Sequence, residues 1–210
     1  MNTDEIRRHV RDLFARADDR RRLGDTDGEM AVWRECLSVC EEVGDRDDQY
    51  VVLRRMAEIH RSQEAYDEAM SLLDRARGLL DPDEQPLELA SVAREAGQIC
   101  LLQRAPDRAI DCFRHARALC RAAADRRGEA LAAASVGRIL FDGGQTGQGV
   151  AEMLAALALL GDDSPEETDA LVAYIRECGE VIDRTVFKRL VEHSGLPAPV
   201  RRSLLDRHQA

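Results

Sequence analysis

The sequence predicts an all-α protein, a solenoid of about four stacked helix pairs closed by helices at its C-terminal end. Three observations carry that expectation. A shift of 40 residues aligns four segments without a gap. Helix-favouring Leu, Ala, Arg and Glu dominate while aromatic residues supply only 4%, a mix that disfavours sheets. Apolar residues also recur at helical rather than alternating spacing.

The period is visible position by position. Trp33, Leu73, Phe113 and Met153 are all large, and Cys36, Ala76, Ala116 and Ala156 are all small. Val39, Leu79, Leu119 and Leu159 coincide, as do Cys40, Leu80, Cys120 and Leu160. Alternation of large side chains with Ala suits helices in close contact, because Ala lets two backbones approach and Leu or Phe fills the space beside it.

Taken in order, the repeats are expected at 1–45, 46–85, 86–125 and 126–160, with a capping segment over 161–210. In the second repeat Leu53, Met56, Ala57 and His60 share one helical face. A turn follows at Ser62 to Ala65, and Tyr66 opens a second helix that buries Ala69, Leu72, Leu73, Ala76, Leu79 and Leu80. Asp81-Pro82-Asp83-Glu84 supports the boundary between the second and third repeats, with Asp81 as N-cap, Pro82 at the first helical position and Glu84 three residues after the cap. Ser164-Pro165-Glu166-Glu167 repeats that device and predicts a helix to about Gly179. Further helices are expected over Arg184 to His193 and over Val200 to His208, covering the apolar end that a solenoid would otherwise expose.

At 53–80 (LRRMAEIHRSQEAYDEAMSLLDRARGLL) and 92–120 (VAREAGQICLLQRAPDRAIDCFRHARALC) the sequence resembles the tetratricopeptide repeat (TPR) family. Gly97 and Gly137 match that family's Gly at the tight contact within a pair, and Ala69 and Ala109 its small residue at the start of the second helix. Ala76, Ala116 and Ala156 match the later small residue, and Gly24 and Gly144 the turn Gly. The family unit is about 34 residues, so this longer period implies longer helices or links, as in bacterial peptide-sensing regulators and motor-adaptor subunits. The first repeat departs most, with Arg16 and Ala17 at the close contact and Glu29 in place of a small Ala. The resemblance implies a right-handed superhelix whose first helices line a concave face, and a non-catalytic role in binding a protein or peptide.

Residues opposite the buried faces of those first helices form three rows. They are Phe14, Arg54, Arg94 and Ala134; Asp18, Glu58, Gln98 and Arg138; and Arg21, Arg61, Leu101 and Phe141. An Arg-rich stripe is therefore expected in a chain with 30 basic and 40 acidic residues and a net charge of −10. Guanidinium groups grip carboxylates bidentately and stack on aromatic rings, while Phe14, Leu101 and Phe141 offer apolar anchors. The expected partner is a peptide or protein segment of acidic character. A plainer arrangement pairs these arginines with Asp18, Glu58 and neighbouring carboxylates on a wet surface. Self-association is a rival, in which Leu13, Phe14 and Trp33 at one end meet a second copy as a homodimer; a small-molecule sensor is another. A clamp on the C-terminal carboxylate of a chaperone tail, the best-known ligand mode of the family, is not expected, because the corresponding positions include Glu58, Glu95 and Leu131.

Other chemistries find little support. The acidic balance argues against nucleic acid, and the longest apolar run, Met153 to Leu160, is far too short to span a bilayer. With no apolar signal core in the first residues, a cytoplasmic protein is expected. The six cysteines form no C-x-x-C pair, so they are expected to be reduced core residues, and no metal or cofactor is expected. The five histidines, at 9, 60, 115, 193 and 208, are scattered, and no catalytic residue is assigned. Lys188 is the only lysine beside 29 arginines, a bias that fits a GC-rich, bacterial source. The glycine-rich run Gly143 to Gly149 lacks the Lys-Ser/Thr pair and preceding strand of a phosphate loop. It aligns with a turn, and Gly147 and Gly149 are expected to fray the helix that follows. From residue 182 onward six basic and three acidic residues make the cap basic, a solvated surface or a second site for an acidic partner.

Overall fold

The 40-residue period is written into the backbone as well as into side-chain size. In the computed structural model, which describes residues 3–161 and 164–206, left-handed residues stand at Gly24, Glu64, Arg104 and Gly144, one period apart, with φ of 71°, 61°, 57° and 85°. Each closes the same turn. The amide after it reaches back to a carbonyl five residues earlier: Asp25 to Arg20 at 3.0 Å, Ala65 to His60 at 2.9 Å, Ala105 to Cys100 at 2.9 Å, and Gln145 to Leu140 at 2.9 Å. This is the Schellman pairing, which satisfies the last carbonyls of a helix and turns the chain back on itself. Gly supplies the conformation freely at 24 and 144, whereas Glu64 and Arg104 hold it against the steric cost that any Cβ brings. Glu64→Gly and Arg104→Gly are each expected to raise the unfolding free energy by about 0.5–1 kcal/mol. A higher urea midpoint at unchanged slope checks this; an unchanged or lower midpoint refutes it.

The described residues form eleven helices and no strand. They fall in two compact units, Met1–Ile99 and Cys100–Ala210, with the boundary inside the fifth helix.

The first unit holds α1 (Thr3–Arg22), α2 (Thr26–Val43), α3 (Arg46–Ser62), α4 (Tyr66–Gly78) and most of α5 (Pro86–Leu102). The α1/α2 and α3/α4 pairs pack on each other, and α2 packs on α3. Asp25 and Asp45 cap α2 and α3 by accepting the amides of Gly28 at 2.9 Å and Asp48 at 3.1 Å. Arg46 donates to the carbonyl of Leu79 at 2.8 Å, placing a cation where the dipole of α4 favours one.

The α1/α2 pair, where the sequence departs most from the period, is coherent inside. Ala17 is buried, Arg16 pairs with Glu35 at 3.4 Å on the surface, and buried Glu29 accepts the indole N–H of Trp33 at 3.1 Å. Leu13 and Trp33 are fully buried, and Phe14 packs edge-on against Trp33 with ring centroids 5.0 Å apart. The residues of the self-association reading are thus spent within the unit, because α2 folds back over α1.

α5 begins later than the Asp-Pro-Asp-Glu signature suggests. Residues 81–85 form a closed turn in which the Asp81 carbonyl accepts the Gln85 amide at 2.8 Å and its carboxylate the Asp83 amide at 2.9 Å. The helix opens at Pro86. Proline disfavours helical backbone at Gln85, and inside a helix its ring would strike the carbonyl four residues back.

In the second unit lie α6 (Pro106–Ala122), α7 (Arg126–Asp142), α8 (Thr146–Leu160), α9 (Pro165–Val181), α10 (Arg184–Glu192) and α11 (Ala198–Leu205). α7 packs on α6 and α8, α8 on α9 and α10, and α11 on α9 and α10. Phe113 and Met153 are buried like Trp33 and Leu73 in the first unit, and Ala116 and Ala156 like Cys36 and Ala76. Gly147 and Gly149 lie inside α8, which starts directly after its turn. Gly149 is required for packing. A Cβ on it would stand 2.6 Å from the carbonyl oxygen of Gly137, and one on Gly137 would stand 2.6 Å from Met153 Cγ and 2.8 Å from the carbonyl oxygen of Gly149. The last helix starts at Ala198 and ends at Leu205; His208, its expected end, lies outside the described residues.

Candidate functional site

Asp45 starts α3 so that Arg54, Glu58 and Arg61, at helical spacings of four and three, share one face. One period later, α5 presents Arg94 and Gln98. In the first unit these five border one cleft of about 370 Å³ together with Val51, Arg55, Ala57, Leu73, Glu95 and Ile99. The floor is apolar and the rim is charged.

Arg54 is committed within the protein. Its Nε donates to Glu95 at 3.0 Å, its Nη2 also reaches Glu95, and its Nη1 donates to the Tyr50 hydroxyl at 2.9 Å. The guanidinium carbon lies 5.3 Å from the centroid of the Tyr50 ring, within cation–π range. Tyr50 in turn donates to the carbonyl of Glu88 at 3.4 Å, a second tie between α3 and α5. Burial works against the Arg54 charge, but the bonds to Glu95 and Tyr50 outweigh it and hold the guanidinium pKa above its ordinary value. Burial likewise pushes the Tyr50 phenol up. On the rim, Arg55 donates to Glu58 at 3.3 Å.

Arg61 and Arg94 differ. Both are half-buried, and neither forms an ion pair among the described residues. No Ser, Cys or His lines the cleft; it offers guanidinium donors over an aliphatic floor, an arrangement suited to holding carboxylates.

The other candidates lie elsewhere. Phe14 is engaged with Trp33, and Arg21 pairs with Asp18 at 2.8 Å at the exposed end of α1. In the second unit Leu101 is exposed, Phe141 packs against the core of that unit, and Arg138 lies 5.3 Å from the Tyr174 ring centroid. Tyr174 also donates to Asp142 at 3.4 Å. A second cleft, of about 660 Å³, is lined by residues of α9, α10 and α11 and by Asp206, with Arg176, Arg184 and Lys188 beside Glu180 and Asp206. Its basic residues outnumber its acidic ones by three to two, and Arg176 donates to the Ser203 carbonyl and hydroxyl. Five of the six cysteines are buried and Cys112 is half-buried. Burial pushes the Cys112 and Cys178 thiols up to about 11, which leaves them poor nucleophiles. Among the described residues no helix is long and apolar enough to cross a membrane.

Tyr50 and Glu95 were not among the sequence candidates for this surface. Glu95 left one signal, a carboxylate one position beyond the register partner of Arg54. Tyr50 left another, an aromatic residue four positions before Arg54 on the same helix.

No family model matches the sequence, and no curated protein matches it. Solved structures do. BtubC (BKLC) from P. vanneervenii is 16% identical, with a TM-score of 0.72 over 99% of this chain and 89% of that one. The apo form of RapI is 10% identical, with a TM-score of 0.76 over 89% and 69% of the two chains. A Podospora anserina putative kinesin light chain with nearly identical TPR-like repeats is 11% identical, with a TM-score of 0.68 over 92% and 95%. With its all-helical pairs and recurrent turns, the chain has the TPR-like helical-repeat fold.

Proposed function

We propose that this chain is a non-catalytic, cytoplasmic interaction scaffold or adaptor that holds a peptide or partner segment of acidic character. In this reading residues 1–160 form four repeats and 161–210 their helical cap. Recognition is centred on the cleft between α3 and α5. The observation that carries it is the presence of two half-buried arginines without carboxylate partners over an aliphatic floor, in a chain whose net charge is −10. A charge withdrawn from water without a partner is costly, and a ligand carboxylate lowers that cost. Glu58 and Gln98 border the same cleft and contribute selectivity. The TPR-like repeats of the kinesin light chain lend support at the level of fold alone.

Capture from a lysate with the wild type and with Arg61→Glu/Arg94→Glu tests the proposal, once circular dichroism has shown equal helicity. A partner retained by the wild type and depleted roughly tenfold or more by the variant is expected. Equal retention by both would move recognition away from this cleft.

A further inference from the structure

We infer that Glu95 sets the negative charge this cleft accepts, so that its occupant is a peptide segment carrying two carboxylates around one aliphatic side chain. The inference rests on the scaffold reading above and specifies its ligand. Four guanidinium groups and two carboxylates line the cleft. Glu58 is engaged by Arg55, and Glu95 holds Arg54. Arg61 and Arg94 remain, so two anionic groups complete the site.

Arg54 cannot stand in for either. Its charge is already paired with Glu95 through two N–H groups, a third N–H goes to the Tyr50 hydroxyl, and the Tyr50 ring lies against its guanidinium. Glu95 therefore occupies the place on Arg54 that a ligand carboxylate would otherwise take. It is an internal surrogate that subtracts one positive charge from what a partner meets. Such a group gives specificity by exclusion, because a more acidic segment gains no further arginine and meets the Glu58 and Glu95 charges. The floor of Val51, Ala57, Leu73 and Ile99 decides between ligand classes. An inorganic anion satisfies the arginines and leaves that floor wet, whereas an aliphatic side chain between two acids covers it.

A random peptide library displayed on phage, panned against folded wild type, Arg61→Gln/Arg94→Gln, Glu95→Gln and Arg54→Gln, tests this. The wild type is expected to enrich peptides with two Asp or Glu residues flanking Leu, Ile or Val. The double variant is expected to recover roughly tenfold fewer of those phage. Glu95→Gln frees Arg54 and should select a third acid; Arg54→Gln frees the Glu95 carboxylate and should select only one. If both single variants select the wild-type pattern, Glu95 is not the gauge, and the scaffold reading stands. Wild-type enrichment without acidic residues overturns the charge assignment, again leaving a peptide-binding scaffold. No enrichment on the wild type overturns both.

Discussion

Gly137→Ala is expected to lower the unfolding free energy by about 3 kcal/mol, and Gly149→Ala by a similar amount. The contact involves backbone on both sides. The added methyl of Gly137→Ala would lie 2.8 Å from the carbonyl oxygen of Gly149 and 3.1 Å from the amide of Met153, and that of Gly149→Ala 2.7 Å from the amide of Phe141. Flexible side chains can swing away from an intruding methyl, but a helix backbone moves only by carrying its neighbours with it. α7 and α8 would separate, and Val150 and Met153, now buried in one cluster with Ala130 and Ala133, would lose contact. Once the helices have parted for one methyl, the second meets less resistance, so the double variant should cost clearly less than the sum. Urea unfolding followed by circular dichroism reads all three. A loss under about 1 kcal/mol for either single variant would mean that the helices can move apart freely.

Trp33→Ala is the other large effect, at about 4 kcal/mol. The indole is buried and its N–H is the donor to the buried Glu29 carboxylate. Truncation therefore opens a cavity between α1 and α2, removes the edge-on partner of Phe14 and leaves an acceptor without its donor. The last contribution separates from the others in a double-mutant cycle. Trp33→Phe keeps most of the packing and loses the hydrogen bond. Adding Glu29→Ala should then recover about 1 kcal/mol relative to Trp33→Phe alone. A strictly additive cycle would show that the indole–carboxylate bond contributes nothing.

The repeat was legible because burial in the second helices is encoded by side-chain size, which needs no knowledge of the partner. Trp33, Leu73, Phe113 and Met153 occupy equivalent buried places, as do the small residues three positions later. The start of α5 was misread because Asp-Pro-Asp-Glu is a capping signature that a tight turn can also use. The restriction that Pro86 places on Gln85 had to decide between them. Gly149 was weighed as a helix-weakening residue by intrinsic propensity, yet its value lies across a contact with Gly137 that propensity does not include.

The cleft was half legible for a similar reason. The period placed Arg54, Arg61 and Arg94 on one face, because position on a helix follows from counting. Which arginine is spent and which is free depends on rotamers and on a neighbour from another helix. Glu95 and Tyr50 settle that for Arg54, whereas Phe14, counted as a ligand anchor, is claimed by Trp33 from the next helix.

The four turns between paired helices close on main-chain atoms, and each asks only that one residue adopt a left-handed backbone. Gly meets that demand twice, Glu once and Arg once. A joint of this kind is nearly blind to the letters that spell it, since substitution there forfeits at most the steric cost of one Cβ. Mutational drift can therefore run through the hinges of the architecture while the hairpins survive. Ancestry fades from such a chain sooner than its shape does.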